Sequence, residues 1–391
     1  MKRNLIVFFA VVAALVSCEQ ADPEDNTLKD QAFKTIAENF INNTLAPTYS
    51  ALAAESDKLV VELQNLEADR TQANLETVCA TFLEARKRWE MSEAFLFGAA
   101  TVCGIDPHID SWPLDEDGYK SLMASPSMLS NLKGEGGAAW AGDNLGNGLL
   151  GFHGMEYILF SDGKAKDVKS IGDDQYTYLL AVAGDLRNHT VQLEVAWLGK
   201  NAPKAHQDLM EELEYEVMCD GSGFSYSENL LNAGQGGSSL PSWTGAMQYI
   251  IDGAVTIADE VGASKIGKPY NPTESGDERY IESPYSWNSI TDFYDNITSI
   301  ANVYFGGVEG KRNEATSLHN WMKKNHPEED SVLCAAIENA LKQIGLGSKD
   351  DGEGMVYPFV KNIKNKATLE AIEACNKLVE ALDAVKEVVK H

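Results

Sequence analysis

The stretch NLETVCATFLEARKRWEMSEAFLFG, residues 74–98, has the helical spacing that decides the fold class of this chain. Its apolar side chains return every three or four residues, which places them along one face of an amphipathic helix. Glycine at 98 suits the left-handed position that follows many helix ends. We therefore predict one long helix over residues 74–97 that ends at Gly98.

The same periodicity recurs along most of the 391-residue chain, whereas the alternation typical of strands is scarce. Pro47 is expected to stop the first helix. The Gly- and Ser-rich stretch 219–242 is the best candidate for a domain boundary. These patterns predict an all-α fold of two helical bundles, an N-terminal domain over 28–220 and a C-terminal domain over 221–391. Besides 74–97, helices are predicted over 28–43, 49–67, 149–160, 174–197, 209–218, 243–261, 286–304, 309–324, 330–344 and 357–389.

Residues 101–147 interrupt this pattern, because they are rich in Gly, Asp, Ser and Pro and have few periodic stretches. A connection of that length inside a compact domain is usually functional or contains short helices of its own. It includes Asp110 and Trp112. We expect Asp110 either to cap a helix or to line a binding cleft together with Trp112.

The N-terminus predicts export and lipid anchoring. Lys2 and Arg3 precede an apolar stretch, 5–16, that is too short to span a bilayer as a permanent helix. Its end, Leu15-Val16-Ser17-Cys18, resembles the lipobox of bacterial lipoprotein precursors. We predict a signal peptide over 1–17, lipidation of Cys18 and an acidic tether over 18–27. That tether is similar to the acidic leader of some Bacteroidetes surface lipoproteins, so we expect an envelope protein on the outer membrane, facing the cell surface.

Charge and composition exclude one class of partner. The chain has 59 acidic and 32 basic residues, a formal net charge of −27, and it is 44% hydrophobic and 23% charged. These last two values are typical of a folded protein. A polyanion repels the phosphate backbone of nucleic acids, so no nucleic-acid partner is expected.

The segment GFHGMEYILF, residues 151–160, places His153 and Glu156 on one face of an otherwise apolar helix. Gly151 and Gly154 weaken such a helix, so we expect another backbone or a ligand to approach them closely. Burial of both polar groups requires partners, which are protein groups, a metal ion, water or a ligand, and this favours the wall of a buried polar pocket. The alternative is a hydrogen-bonded pair with a purely structural role. His326 and Glu329 repeat the spacing in a polar turn, where capping or solvation is expected.

Two other regions contain candidate residues. In the helix over 74–97, an Arg86–Glu90 pair on the surface is expected, and Glu93 is either a ligand that faces the core or a solvated side chain. In the second half, Ser283 and Ser286 are expected to cap a helix. Arg279 and Glu282 are candidates to reach a cleft.

Together these residues resemble the imelysin family of bacterial envelope proteins. The motif is G-x-H-x-x-E at Gly151, His153 and Glu156, in order with other matching segments. This resemblance implies two helical domains, the motif in a cleft between them, and a link to iron acquisition. It also implies a peptidase, although one helix does not supply a full set of metal ligands and a base. The other matching segments are Trp89-x-x-x-Glu93, Phe97-Gly98, Ile109-Asp110, Trp112-Pro113 and 283–306.

Three functions remain open. The leading hypothesis is a surface lipoprotein in iron uptake, which binds iron, haem or another ligand around His153 and Glu156 and works with an outer-membrane uptake partner. The second is a metallopeptidase, with Glu156 or Glu93 as general base. The third is a structural partner lipoprotein. Gly151, Glu93, Asp110 and Trp112 complete the predicted binding site, and His153 and Glu156 are the predicted ligands of iron or zinc.

Overall fold

The computed structural model describes residues 23–219, 222–345 and 354–391. Within them, the only strands are β1 (Phe160–Ser161) and β2 (Lys164–Ala165), which pair antiparallel, so the predicted all-α class is confirmed. The signal peptide, Cys18 and the 220/221 boundary lie outside the described residues. The helices are α1 (Pro23–Phe40), α2 (Ala46–Ala68), α3 (Gln72–Glu90), α4 (Ala99–Val102), α5 (Ile105–Ile109), α6 (Glu116–Met123), α7 (Pro126–Asn131), α8 (Gly137–Asn144), α9 (Gly151–Leu159), α10 (Asp173–Leu198), α11 (Lys204–Glu212), α12 (Tyr226–Leu231), α13 (Trp243–Asp259), α14 (Gly267–Tyr270), α15 (Ser289–Phe305), α16 (Leu318–Asn325), α17 (Pro327–Ile344) and α18 (Lys366–Val388).

Helix α3 ends at Glu90, earlier than its apolar spacing predicts. Beyond it, the Ala94 amide donates to Ser299 Oγ of α15 at 3.0 Å instead of to a helical carbonyl. The Phe95 carbonyl accepts from the Tyr49 hydroxyl at 3.0 Å. Tertiary partners therefore satisfy the backbone groups that a longer helix would have paired.

Two local predictions have different outcomes. The predicted end of the first helix near Pro47 is wrong. This proline lies in the first turn of α2, where the missing N–H of proline costs no helical hydrogen bond. The π-helical segment Ile41–Leu45 joins α1 directly to α2. Residues 101–147, by contrast, contain the short helices α5 to α8, as predicted.

The two halves of the chain pack on one another. One continuous apolar core contains side chains from all of these helices except α11 and α14, and α3 packs against α15 while α1 packs against α13. The division into two domains stays a prediction. Among the described residues, no helix combines the length and the apolarity that a membrane crossing needs.

Candidate functional site

Helix α9 begins at Gly151, whose φ of +63° lies in the left-handed region. A Cβ at this position would lie 1.9 Å from the Ile109 carbonyl oxygen, so glycine is what allows the two backbones to meet. At Gly154 a Cβ would lie 2.3 Å from the Tyr178 hydroxyl. The expected close approach of another backbone is confirmed at Gly151, which is the first residue of the helix and not an interior one.

His153 and Glu156 are both buried, with 3% and 1% of their surface exposed. Fully buried apolar residues surround them on the same helix, among them Phe152 and Met155. His153 Nδ1 lies 3.5 Å from Glu156 Oε2. The predicted pairing of an imidazole and a carboxylate in an apolar wall is therefore present.

One carboxylate oxygen of Glu156 is held by the second half of the chain. Its Oε1 accepts from the Tyr285 amide at 3.0 Å and from the Ser286 amide and hydroxyl at 2.7 Å each. The prediction that Ser283 and Ser286 cap a helix is wrong, since α15 begins at Ser289 and the Ser283 hydroxyl donates to Asp292 Oδ2. Glu156 Oε2 has no hydrogen-bond donor among the described residues.

Asp110 orients the imidazole of His153 from the other side. Its Oδ1 lies 3.0 Å from His153 Nε2, and its Oδ2 accepts from Trp89 Nε1 at 2.7 Å. Burial by itself would raise the pKa of Asp110, but the nearby Arg86 guanidinium and His153 lower it overall. A charged carboxylate at Nε2 keeps the proton there and turns Nδ1 toward Glu156.

A buried charge cluster lies next to this pair. The expected exposed Arg86–Glu90 pair is wrong in its location, because the two side chains lie 2.5 Å apart and are almost fully buried. Arg86 Nη2 also lies 2.6 Å from Glu282 Oε1. The spacing of apolar residues on α3 did not show that the face with Arg86 and Glu90 packs against α15. The buried charge cluster comprises Arg86, Glu90, Glu93, Asp110, Lys265, Glu282 and Asp292.

Glu93 belongs to the buried charge cluster and not to the His153–Glu156 pair. It is 7% exposed, so it faces inward, and its Oε1 accepts from Lys265 Nζ at 3.4 Å. Lys265 also donates to Glu282 Oε1 at 3.1 Å. We did not predict Lys265, although an isolated lysine in the largely apolar run 261–266 was a usable signal.

Carboxylates outnumber the fixed positive charges in this region, and burial shifts their titration. Burial raises the pKa of Glu90 and Glu93 well above the ordinary value, against the opposing effect of the nearby cations. Burial lowers the pKa of His153, but hydrogen bonds to Asp110 and Glu156 outweigh it and raise this pKa to about 9. Burial and mutual contacts together therefore set the titration of these groups.

Stability should fall as pH rises from about 4 to about 7, in part because of Asp292. Burial raises the pKa of Asp292 from 3.8 to about 7, so the folded state retains a proton that the unfolded chain releases. This stabilisation is fully present below pH 3.8 and lost by about pH 7, and it is on the order of 4 kcal/mol. Urea unfolding from pH 4 to pH 8 should give a shallower decline for Asp292→Asn. Parallel curves for the variant and the parent would contradict the assignment.

A cavity of about 590 Å³ opens beside His153 and Glu156. The loop from Trp112 to Lys120 forms one wall and the segment from Gly276 to Tyr285 forms the other. Trp112 lies with its ring centroid 5.8 Å from that of His153. A smaller cavity of about 200 Å³ shares Trp112 and is lined by four carboxylates, Glu93, Asp106, Asp110 and Glu260.

Two groups in this region have metal-ligand spacing, with one possible ligand atom from each residue within 4.8 Å of the others. Arg86 and Lys265 already place positive charge against both groups, which disfavours a further cation there. His153 and Glu156 line the larger cavity instead. The two groups are Asp110–His153–Glu282 and Glu90–Glu93–Asp110.

The structure brings most of the predicted site residues together. His153 and Glu156 line the larger cavity with Trp112, and Asp110 contacts His153 from the side, while Gly151 sets the start of α9. Glu93 lines the smaller cavity instead. Of the candidates in the second half, Arg279 lines the larger cavity and Glu282 lies in the buried charge cluster.

Three comparisons with known proteins agree on one family. The imelysin family model matches residues 45–385. Iron-regulated protein A of Synechococcus elongatus is 28% identical over 293 residues, which cover 74% of this chain and 69% of that protein. A crystal structure assigned as an iron-regulated protein A precursor from Parabacteroides distasonis has 26% identity and a TM-score of 0.75, covering 92% of this chain and 95% of that one.

An imelysin-like protein from Psychrobacter arcticum shares the fold, with a TM-score of 0.59 at 14% identity, and covers 92% of this chain and 94% of its own. The matched residues 45–385 include α9, the buried charge cluster and both walls of the larger cavity. The chain therefore belongs to the imelysin family.

Proposed function

We propose that this chain binds an iron species in the larger cavity through His153 and Glu156. The observation that carries the proposal is Glu156 Oε2, a buried carboxylate oxygen with no hydrogen-bond donor among the described residues. It lies 3.5 Å from His153 Nδ1, and both residues line the cavity. A buried charged oxygen without a donor is costly, so a ligand that pairs with it would stabilise the site.

The chemistry of this pair suits iron or zinc. Binding of a metal ion would release the proton from His153 Nδ1, which then offers a lone pair beside the Glu156 carboxylate while Asp110 keeps the proton on Nε2. Imidazole and carboxylate together are usual ligands of iron and zinc. The name of the Synechococcus relative, an iron-regulated protein, favours iron.

The size of the cavity favours a chelate over a bare ion. About 590 Å³ lies within the range of small-molecule and cofactor pockets. Arg279 lines it and would attract a carboxylate of an iron chelate or of haem, whereas Lys120 already pairs with Glu116 and Asp117. Lipid anchoring at Cys18 would hold this cavity at the outer membrane, which fractionation of cell envelopes tests.

Calorimetry and metal analysis with Fe(II), ferric citrate and haem test the proposal. A His153→Ala/Glu156→Ala variant should lose at least about 100-fold in affinity, because both ligands are gone. His326→Ala/Glu329→Ala is the matched control, since it repeats the spacing at a half-buried turn, and it should bind like the parent. Unchanged binding in the first variant rules these residues out. A lower Tm with every ligand assay unchanged would instead support the structural-partner alternative.

A metallopeptidase is the second candidate. Asp110 and Glu282 each bring a possible ligand atom within 4.8 Å of one from His153, which is a three-ligand set that one helix alone could not supply. A metal ion there would have to displace the Arg86 guanidinium, which pairs with both carboxylates. Glu156 or Glu93 would then serve as general base. Chelator-sensitive cleavage of an unfolded protein substrate supports this function, and inertness with zinc, iron and manganese all supplied excludes it.

A further inference from the structure

A second group of histidines and a carboxylate lies outside the site just described. His108 is on α5, while Asp185 and His189 are one turn apart on α10. His108 Nε2 lies 2.8 Å from Asp185 Oδ2, and His189 Nδ1 lies 3.3 Å from Asp185 Oδ1. The two imidazole rings have centroids 3.9 Å apart. None of these residues lines the larger cavity.

Asp185 is the buried centre of this group. Its side chain is fully buried, and its Oδ1 lacks a hydrogen-bond donor among the described residues. A buried carboxylate oxygen without a donor is costly, and a bound cation would supply the missing partner.

The group is closely packed on one side and open to solvent on the other. On the packed side, a Cβ at Gly142 of α8 would lie 2.3 Å from Asp185 Oδ1 and 3.7 Å from His108 Nε2, so glycine is what fits against the carboxylate. Both histidines are slightly exposed, at 15% and 13% of their side chains, so an ion has access from solvent. The Asp185 backbone carbonyl lies 3.0 Å from His189 Nδ1, so a metal ion at Nδ1 would replace this contact, whereas a metal ion at Nε2 would keep it.

We propose that His108, Asp185 and His189 bind a divalent first-row transition-metal ion. One possible ligand atom from each lies within 4.8 Å of those from the other two. Two imidazoles and one carboxylate form a recurrent ligand set for Fe(II) and Zn(II), and the remaining positions are open to water. This site shares no ligand with the His153–Glu156 pair, so its test is independent of the test of the proposed function.

Zinc binding in a background without the first site tests the assignment. Chelator-treated protein carrying His153→Ala/Glu156→Ala should still bind one equivalent of Zn(II) by calorimetry. Adding His108→Ala/His189→Ala should remove that equivalent or weaken it at least about 100-fold. Zn(II) should also raise Tm only while both histidines are present.

The matched control is His206→Ala in the same background. His206 is similarly exposed and lies 3.0 Å from Asp57 Oδ2 and 2.5 Å from Glu194 Oε2, so it also loses two ionic contacts. Its zinc binding should be unchanged. An equal loss in this control, or full binding without His108 and His189, overturns the proposal.

A second measurement does not depend on the variants folding. Crystals of the unmodified protein soaked in Zn(II) should show an anomalous peak bonded to Asp185 and both histidines. Zinc peaks at other positions only, with this group vacant, would overturn the assignment.

Discussion

An Arg86→Met variant is expected to be unfolded at neutral pH, or to lose at least about 3–5 kcal/mol of unfolding free energy. The guanidinium is 1% exposed and pairs with Asp110, Glu90 and Glu282. Without it, Lys265 is the remaining fixed cation of the buried charge cluster. Removal of one partner from a buried ionic network leaves charges that neither water nor a neighbour can stabilise.

Urea unfolding at pH 7 and pH 5 measures this effect. The matched control is Arg88→Met on the same helix, whose pair with Glu84 is partly exposed, and its cost should stay within about 1 kcal/mol. The Arg86 variant should recover some stability at pH 5, because protonation removes part of the unbalanced negative charge. Equal losses in the two variants would show that Arg86 is not the centre of the cluster.

A Gly151→Ala variant is expected to lose about 3 kcal/mol or more of stability and also its ligand binding. Alanine at a φ of +63° is strained, and its Cβ would lie 1.9 Å from the Ile109 carbonyl oxygen. That contact is with backbone, so a side-chain rotation cannot relieve it. The displaced chain would carry Asp110 away from His153, which loosens the orientation of the imidazole.

Thermal unfolding and ligand calorimetry together check this prediction. Gly146→Ala is the matched control, since Gly146 lies just before α9 with a φ of −73° and has open space where the Cβ would be. It should keep both stability and binding. A stable Gly151→Ala protein with full affinity would mean that the contact with Ile109 does not position the site.

The spacing of apolar residues along the chain predicted much of the fold. The helical periods predicted an all-α chain, and the i, i+3 spacing placed His153 and Glu156 side by side. The apolar residues around them predicted burial, which the structure confirms. These properties depend on residues within a few helical turns of one another, so a single segment of the chain is enough to predict them.

The partners of these residues were decided by tertiary structure. Arg86 and Glu282 are 196 positions apart, and Glu156 and Ser286 are 130 apart. Helical spacing shows which side chains share a face, but it does not show which other face packs against them. For that reason Arg86 and Glu90 were expected at the surface and Ser286 at a helix end, although each lies where the two halves of the chain meet.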